Sequence, residues 1–505
     1  MNQIKAGAIL NYVIIGLNTI VGLTYTPYML RCLGQNEYGL YSLVASIIAY
    51  LTILDFGFGN AIIRYTAKFR AEGKKQEQWE MFGMFLIVYS IIGLLALCGG
   101  LCLYFNVDAL FDRTMTTSDL SQARIMMLLL TLNLAFTFPL SIFGSIISAY
   151  ENFVFQRIIS ILRIIISTGV LIAVLAMGYK AVALIVVQTI FNLLTLIINF
   201  LYCKRKLRIR IIFGKFDWIF LKEISVYSFW IFLSAIVEKI YWGTGQFVLG
   251  ALVGTFAVAI YSIAILLQQM YLQFSAAIAN VLLPRITAMT TTGSDTHNIS
   301  NIFISTGRIQ ALVLSTILAG FIVFGKQFII IWAGQGYENS FSITLIFFIS
   351  LYTPLIQNTG VTILQARNQL KFRSLSYIAI SVISLVLQIF LSEKYGAIGC
   401  AIAVAICLFL GQGIIMNIYY AKRQHIDILG FWKSITKLNL TPICFSIIGF
   451  FFTKNIILDS YGKLTLCIFT FLMLYLPFLY YFCMNKYEKN LIISPINKFI
   501  KNIHP

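Results

Sequence analysis

Fourteen apolar stretches, each long enough to cross a bilayer and separated by short polar turns, take up most of this 505-residue chain. A hydrocarbon core of about 30 Å needs roughly 20 helical residues to span it. Backbone at that depth must satisfy its own hydrogen bonds, so the stretches are expected to be helices. They run over 8–30, 40–62, 81–104, 124–149, 158–178, 180–202, 224–250, 253–283, 302–324, 341–364, 375–391, 397–420, 437–453 and 464–484. Hydrophobic residues make up 59% of the chain and charged ones only 11%, against about 25% charged in a soluble domain. No large aqueous domain fits in what remains.

The first stretch follows Lys5, carries Asn11, Asn18 and Pro27, and has no small-residue cleavage site. It is expected to stay as the first helix and not to be removed as a signal peptide. Nine cysteines are scattered mainly through apolar stretches, and only Cys98 and Cys102 stand close, without a histidine to complete a metal site. They read as small core residues, and no metal is expected.

The formal net charge of +19 suggests nucleic acid until its placement is considered. Most Lys and Arg fall on alternate connectors, densest at Arg64, Lys68, Arg70, Lys74 and Lys75 and again from Lys204 through Arg210 with Lys215 and Lys222. That alternation is the positive-inside bias; it puts both termini in the cytoplasm and leaves no reason to expect a nucleic-acid partner. The basic clusters then orient the chain and meet anionic lipid head groups.

The longest inner connector, 203–223, separates two halves of six spans that resemble each other weakly. Leu33-Gly34 followed by Tyr41-Ser42-Leu43 recurs as Val253-Gly254 followed by Tyr261-Ser262-Ile263, and Pro139-Leu140 leading to Ala149-Tyr150-Glu151-Asn152 recurs as Pro354-Leu355 leading to Ala366-Arg367-Asn368-Gln369. An internal duplication of this kind is transporter architecture, with the substrate path near the midplane. The expected organisation is an N-terminal lobe over 1–203, a basic cytoplasmic linker over 204–223, a C-terminal lobe over 224–420, and a helix pair with a basic tail over 421–505.

The segment from Tyr28 through Tyr41, with Arg31, Leu33-Gly34, Tyr38-Gly39 and Tyr41, resembles the signature that opens polysaccharide transport proteins. Leu54-Asp55-Phe56-Gly57-Phe58-Gly59-Asn60 with Arg64 is similar to an element of their second helix, and Gly250 through Tyr261 to one of their eighth. The resemblance covers residues 1–420. It implies a Wzx-type flippase of the multidrug/oligosaccharidyl-lipid/polysaccharide exporter superfamily, a bacterial inner-membrane protein. Its cargo would be a polyprenyl-diphosphate-linked oligosaccharide, such as an O-antigen repeat unit.

Charged residues inside the spans are the candidate site, because an ionised group at the bilayer centre costs about 2.5–3.5 kcal/mol on insertion scales and needs a partner or water. Asp55 lies roughly 10 Å from the inner end of its helix at 1.5 Å per residue. It reads either as an ion-pair gate or proton site, with Arg64, or as glue between helices, with Gly57 and Gly59 allowing close approach. Glu238 and Lys239 stand near the middle of the seventh span. Lys239, Gly243 and Gln246 follow i, i+4, i+7 spacing, which predicts a polar stripe. Lys239 would attract diphosphate and Glu238 would serve as counter-ion or coupling site; the other reading is a structural ion pair with another helix. Arg163, Arg308, Arg124 and Arg31 complete the candidate lining, or snorkel to a head group. Amides at Gln188, Asn192, Gln268, Gln269, Gln273, Asn280, Gln357 and Asn358 suit sugar hydroxyls or interhelical hydrogen bonds.

A membrane glycan polymerase or glycosyltransferase would handle the same lipid. Such enzymes carry acids, histidines or arginines on a large outer loop, whereas the longest outer connector here, 105–123, has no histidine, and no HExxH or GxSxG stands in a usable context. A multidrug exporter would share the fold, but its cationic substrates favour acidic cavities. The expectation is therefore an all-α two-lobe flippase without enzymatic chemistry. A proton or sodium ion is the candidate coupling ion, membrane lipid surrounds the protein, and a polysaccharide polymerase is a candidate partner.

Overall fold

The computed structural model describes residues 3–214, 218–291, 296–367, 369–453 and 459–491, with Ile456 and Ile493. Lys215 and Asn368, and the side chain of Asn280, lie outside the described residues. Among those described there is no strand, and eleven helices are long and apolar enough to cross a membrane. Two of them, Ile9–Ala71 with 63 residues and Leu370–Gln424 with 55, each overlap two of the expected spans. The protein is an all-α, multi-pass membrane protein. Large apolar side chains such as Ile91, Leu94, Ile165, Phe390, Phe409, Phe452 and Phe482 are exposed, as a lipid-facing surface requires.

The chain forms two compact units, Met1–Ser262 and Ile263–Pro505. The first begins with α1 (Gln3–Leu51), bent at Gly34, where φ is 75°. A 3₁₀ turn over Thr52–Asp55 follows, then Phe56 and Gly57 in the left-handed region at φ 50° and 71°, and α2 (Phe58–Ala71). Glycine enters that region freely, but Phe56 does so against a steric penalty. The sequence Asp-Phe-Gly therefore breaks the second expected span inside the membrane.

Next come α3 (Lys75–Phe105), the short α4 (Val107–Phe111), α5 (Thr117–Ala149), α6 (Phe153–Ala176) and α7 (Ala181–Arg205). Phe82, Phe85 and Tyr89 of α3 pack with Phe58, Ala61 and Ile62 of α2 and Ile142, Ile146 and Ile147 of α5 to form the core of this unit. The α3 and α5 backbones come close because Gly93 and Gly100 face Ala135 and Thr131, where a side chain would overlap its neighbour. Buried Glu37 accepts the Ala181 amide at 3.3 Å and pairs with Lys180 at 3.2 Å, fixing the start of α7 to α1. An acid at a helix N-terminus is favoured by the helix dipole.

The seventh expected span is two helices, α8 (Trp218–Trp242) and α9 (Thr244–Leu252), interrupted at Gly243. Val253 and Gly254, the latter at φ 117°, lead into α10 (Thr255–Thr291). The boundary between the compact units falls inside α10, well past the connector that divides the sequence repeat.

The second unit adds α11 (Thr296–Ala333), α12 (Asn339–Ile356), α13 (Asn358–Ala366) and α14 (Leu370–Leu408), which is bent at Gly396. A π-helical turn, Phe409–Ile415, joins α14 to α15 (Met416–Gln424). Asn417 braces this turn: its Nδ2 donates to the carbonyls of Gln412 at 3.1 Å and Gly413 at 2.7 Å. Its Oδ1 accepts from Gln357 at 2.8 Å and Trp432 at 3.0 Å. Gln357 sits at the break between α12 and α13, so two irregular stretches of backbone share one amide. The unit ends with α16 (Ile428–Thr453), α17 (Tyr461–Phe478) and a second π turn, Leu479–Cys483.

Candidate functional site

Of the candidate charged residues and Gln246, all but Arg308 lie in the first unit. Asp55 is the last residue of the 3₁₀ turn and is half-buried, and Tyr89 Oη of α3 donates to its Oδ1 at 2.9 Å. The next residue, Phe56, packs its ring 4.5 Å from Phe232 of α8. The helix break thus presents a carboxylate and holds α8 beside it.

Lys239, in the last turn of α8, is half-buried. Among the described residues, no carboxylate lies within ion-pair distance of its ammonium. The Lys239 carbonyl accepts from Gly243 N at 2.8 Å and from Tyr50 Oη at 3.3 Å, and Tyr50 also shares a short hydrogen bond with Thr244 Oγ1. Tyr50 lies in the last turn of α1 and Phe56 just past the 3₁₀ turn, so the stretch 50–56 meets α8 twice, through Phe56–Phe232 beside Asp55 and through Tyr50 at the Lys239 carbonyl. The sequence reading missed Tyr50 and Tyr89. Both are polar-tipped aromatics in apolar stretches, and neither differs in sequence from tyrosines that only fill space.

Glu238 points to an exposed position. Gln246 donates to Ser262 Oγ at 2.7 Å. Because the helix is interrupted at Gly243, Lys239 and Gln246 stand on separate helices, and the expected continuous stripe through 239, 243 and 246 is replaced by a break.

The arginines are placed individually. Arg163 is half-buried on α6 between exposed Leu162 and Ile165. Arg31 is exposed on α1, near the Gly34 bend. Arg124 pairs with Asp108 of α4. Arg64 is exposed on α2 with its guanidinium 5.8 Å from the ring centre of Tyr65. Arg308 is 8% exposed and grips Glu488, itself 3% exposed, through Nε at 2.6 Å and Nη2 at 3.0 Å. Its remaining hydrogens go to Ser434 Oγ at 3.0 Å, Ser434 O at 3.2 Å and Cys483 O at 2.9 Å. A guanidinium has five N–H donors, so Arg308 of α11 fastens Cys483 at the end of the second π turn, Glu488 beyond it and Ser434 of α16.

The amides divide similarly. Gln188 and Tyr41 hydrogen-bond each other, and Asn192 donates to Asn133 and Thr137, both at 2.8 Å, joining α7 to α1 and α5. Gln269 and Gln273 are exposed, and Gln268 is fully buried with neither amide atom partnered. In the second unit, an apolar groove of about 460 Å³ is lined by Leu318, Ile322, Ile443, Ile447 and Phe450, with the Tyr352–Asn439 hydrogen bond on its wall.

The helices are broken at Asp55, Gly243 and Gln357, and discontinuous helices of this kind, which bring irregular backbone to membrane depth, are a feature of transporter folds. The fold is like that of two solved structures. It is similar to the lipid II flippase MurJ in an inward closed conformation, with a TM-score of 0.70 and 17% identity over 93% of this chain and 98% of that one. It is also similar to an inward-facing multidrug resistance MATE family transporter, with a TM-score of 0.58 and 13% identity over 82% of this chain and 99% of the other. The chain belongs to the family described as "Polysaccharide biosynthesis protein", which matches residues 4–290. A relative in Shigella flexneri named "Putative O-antigen transporter" is 22% identical over 411 residues, covering 79% of this chain and 94% of the relative.

Proposed function

We propose that this protein is a flippase that carries a polyprenyl-diphosphate-linked oligosaccharide, of the O-antigen repeat-unit type, from the inner to the outer leaflet of the bacterial inner membrane by alternating access. Both termini would be cytoplasmic. The observation that carries this reading is Lys239, a half-buried lysine in an apolar helix with no carboxylate in reach among the described residues. A partly buried cation in an apolar helix without a counter-ion is costly unless an anion arrives to meet it, and a lipid diphosphate is such an anion. Family membership and the transporter fold support the same reading.

Asp55 sits in the 3₁₀ turn that packs on the same helix α8 and would exchange a proton or a sodium ion between states. A ligand bound equally in two states shifts no equilibrium, so a transporter that resets its empty form needs such a bias. The apolar groove of the second unit suits a hydrocarbon chain, and the prenyl tail would stay in hydrocarbon throughout. A polysaccharide polymerase would take the cargo on the far side. The multidrug-exporter reading shares the fold but calls for acidic counterparts to cationic drugs, and Lys239 counts against it.

The test is complementation. In cells lacking their own repeat-unit flippase, this gene should restore surface glycan, and Lys239→Ala should abolish that rescue while membrane insertion persists. Full rescue by Lys239→Ala would remove the diphosphate role.

A further inference from the structure

Just past the Gly34 bend of α1, the Gly34–Leu43 segment meets the connector between α3 and α5 and the joint between α9 and α10, and polar contacts concentrate there. Asn36 is the hub. Its Nδ2 donates to Asp119 Oδ1 at 3.0 Å, and its Oδ1 accepts from Thr255 Oγ1. Asp119 is 8% exposed, and its second oxygen accepts from the amide and hydroxyl of Thr116 at 3.2 and 2.7 Å, closing the capping box at the start of α5. Beside it, Thr114 Oγ1 donates to the Gly250 carbonyl at 2.6 Å. That carbonyl lies in the last turn of α9, where helical acceptors are left without helical donors; the amides of Val253 and Gly254 both go to Leu249 instead. Phe111 of α4, 1% exposed, packs against Phe247 of α9 at 6.0 Å. Gly39 completes the contact, because a Cβ there would overlap the Thr255 carbonyl, so the α1 backbone touches the start of α10 directly.

We propose that Asn36 and the 106–116 connector form a catch that holds α9 and the first turn of α10 closed, and that it releases at Thr255 and Gly250 while its other bonds persist. The asymmetry comes from the chemistry of the bonds. Those to the Asp119 carboxylate are charge-assisted and buried, whereas those from Thr255 and Thr114 are neutral and weaker. The side that lets go is also the side with a joint: Val253 and Gly254 lie outside either helix, and Gly254 at φ 117° occupies backbone space that other residues rarely enter. The Asn36 and Gly39 stretch and the Gly250–Tyr261 stretch are the two sequence motifs that the site at Asp55 and Lys239 leaves unused, and here they are the two faces of one contact. The proposal rests on the alternating-access reading for its purpose, but its test does not need the substrate.

Two measurements decide it, both made with exposed Cys32, Cys98, Cys102 and Cys444 replaced by Ser. Asn36→Cys with Thr255→Cys should form a disulfide on oxidation in the membrane, arrest glycan export and regain it on reduction. Separately, Ser46→Cys, buried below the catch, is followed with a maleimide on purified protein in bilayer discs open on both faces. Adding Thr114→Val and Thr255→Val should raise its labelling rate roughly tenfold, the effect of losing two neutral hydrogen bonds. Normal export by the cross-linked protein, or an unchanged labelling rate in the double valine variant, would overturn the catch. Faster labelling in a protein whose wild type never restores surface glycan would support the catch and overturn the glycan reading instead.

Discussion

Arg308 and Glu488 stand 180 residues apart in sequence and meet in a bidentate pair that leaves neither charge exposed. Removing one partner of such a pair leaves the other buried and uncompensated, at a cost of about 3–5 kcal/mol, whereas replacing both with apolar residues is often neutral. Arg308→Met should therefore lower the melting temperature in detergent well below that of wild type, and Arg308→Met with Glu488→Leu should recover most of the loss. Equal losses would mean that the pair attracts beyond its desolvation cost. From sequence, Arg308 resembled a cavity cation because only its depth was legible; its partner follows the last span, where no periodicity connects the two. Asp55 was legible as an intramembrane carboxylate, but Tyr89 as its donor was not. Asp55→Asn keeps an acceptor for Tyr89 and should preserve the fold while making export less dependent on the proton or sodium gradient. Vesicle flipping with unaltered gradient dependence would assign Asp55 to packing.

Most of the apolar stretches coincide with helices, because a bilayer imposes one length scale on every span, but among the described residues eleven helices, not fourteen, are long and apolar enough to cross. The interruptions did not follow from apolar length. A run such as Phe409-Leu-Gly-Gln-Gly-Ile-Ile415 is apolar enough to continue a helix, and it winds as a π turn because Asn417 supplies the Gln412 and Gly413 carbonyls with donors. Likewise Gly243 ends α8 at a position where the heptad-like spacing of Lys239 and Gln246 predicted continuity. Glycine permits both outcomes, and tertiary contacts choose. Asn417→Ala removes four hydrogen bonds at once and leaves the buried Gln357 amide and Trp432 N–H unpaired, each costing about 1–3 kcal/mol. It should destabilise the second unit more than an alanine replacement of exposed Gln269 on α10, as read by melting temperature. Indistinguishable values would mean that the π turn does not depend on this amide.

At the scale of the molecule, the sequence repeat and the packing divide the chain differently. The halves expected from the sequence divide at the basic connector 203–223, whereas the boundary between the compact units falls between Ser262 and Ile263. Compactness records which helices touch, and α9 packs on α1 while α8 packs on α2 and the 3₁₀ turn. The alternation of basic connectors predicts that cysteines placed in 105–123 and 325–340 react with an impermeant thiol reagent added to intact cells, and that cysteines in 203–223 do not. Labelling of 203–223 from outside would invert the topology. The central claim is that Lys239 receives a lipid-linked diphosphate. It is tested most directly by reconstituting the protein in vesicles with a fluorescent polyprenyl-diphosphate oligosaccharide and measuring transbilayer movement. Wild type should flip the lipid, Lys239→Arg should flip it more slowly, and Lys239→Ala should fall to the rate of protein-free vesicles; flipping by Lys239→Ala at the wild-type rate would contradict the account.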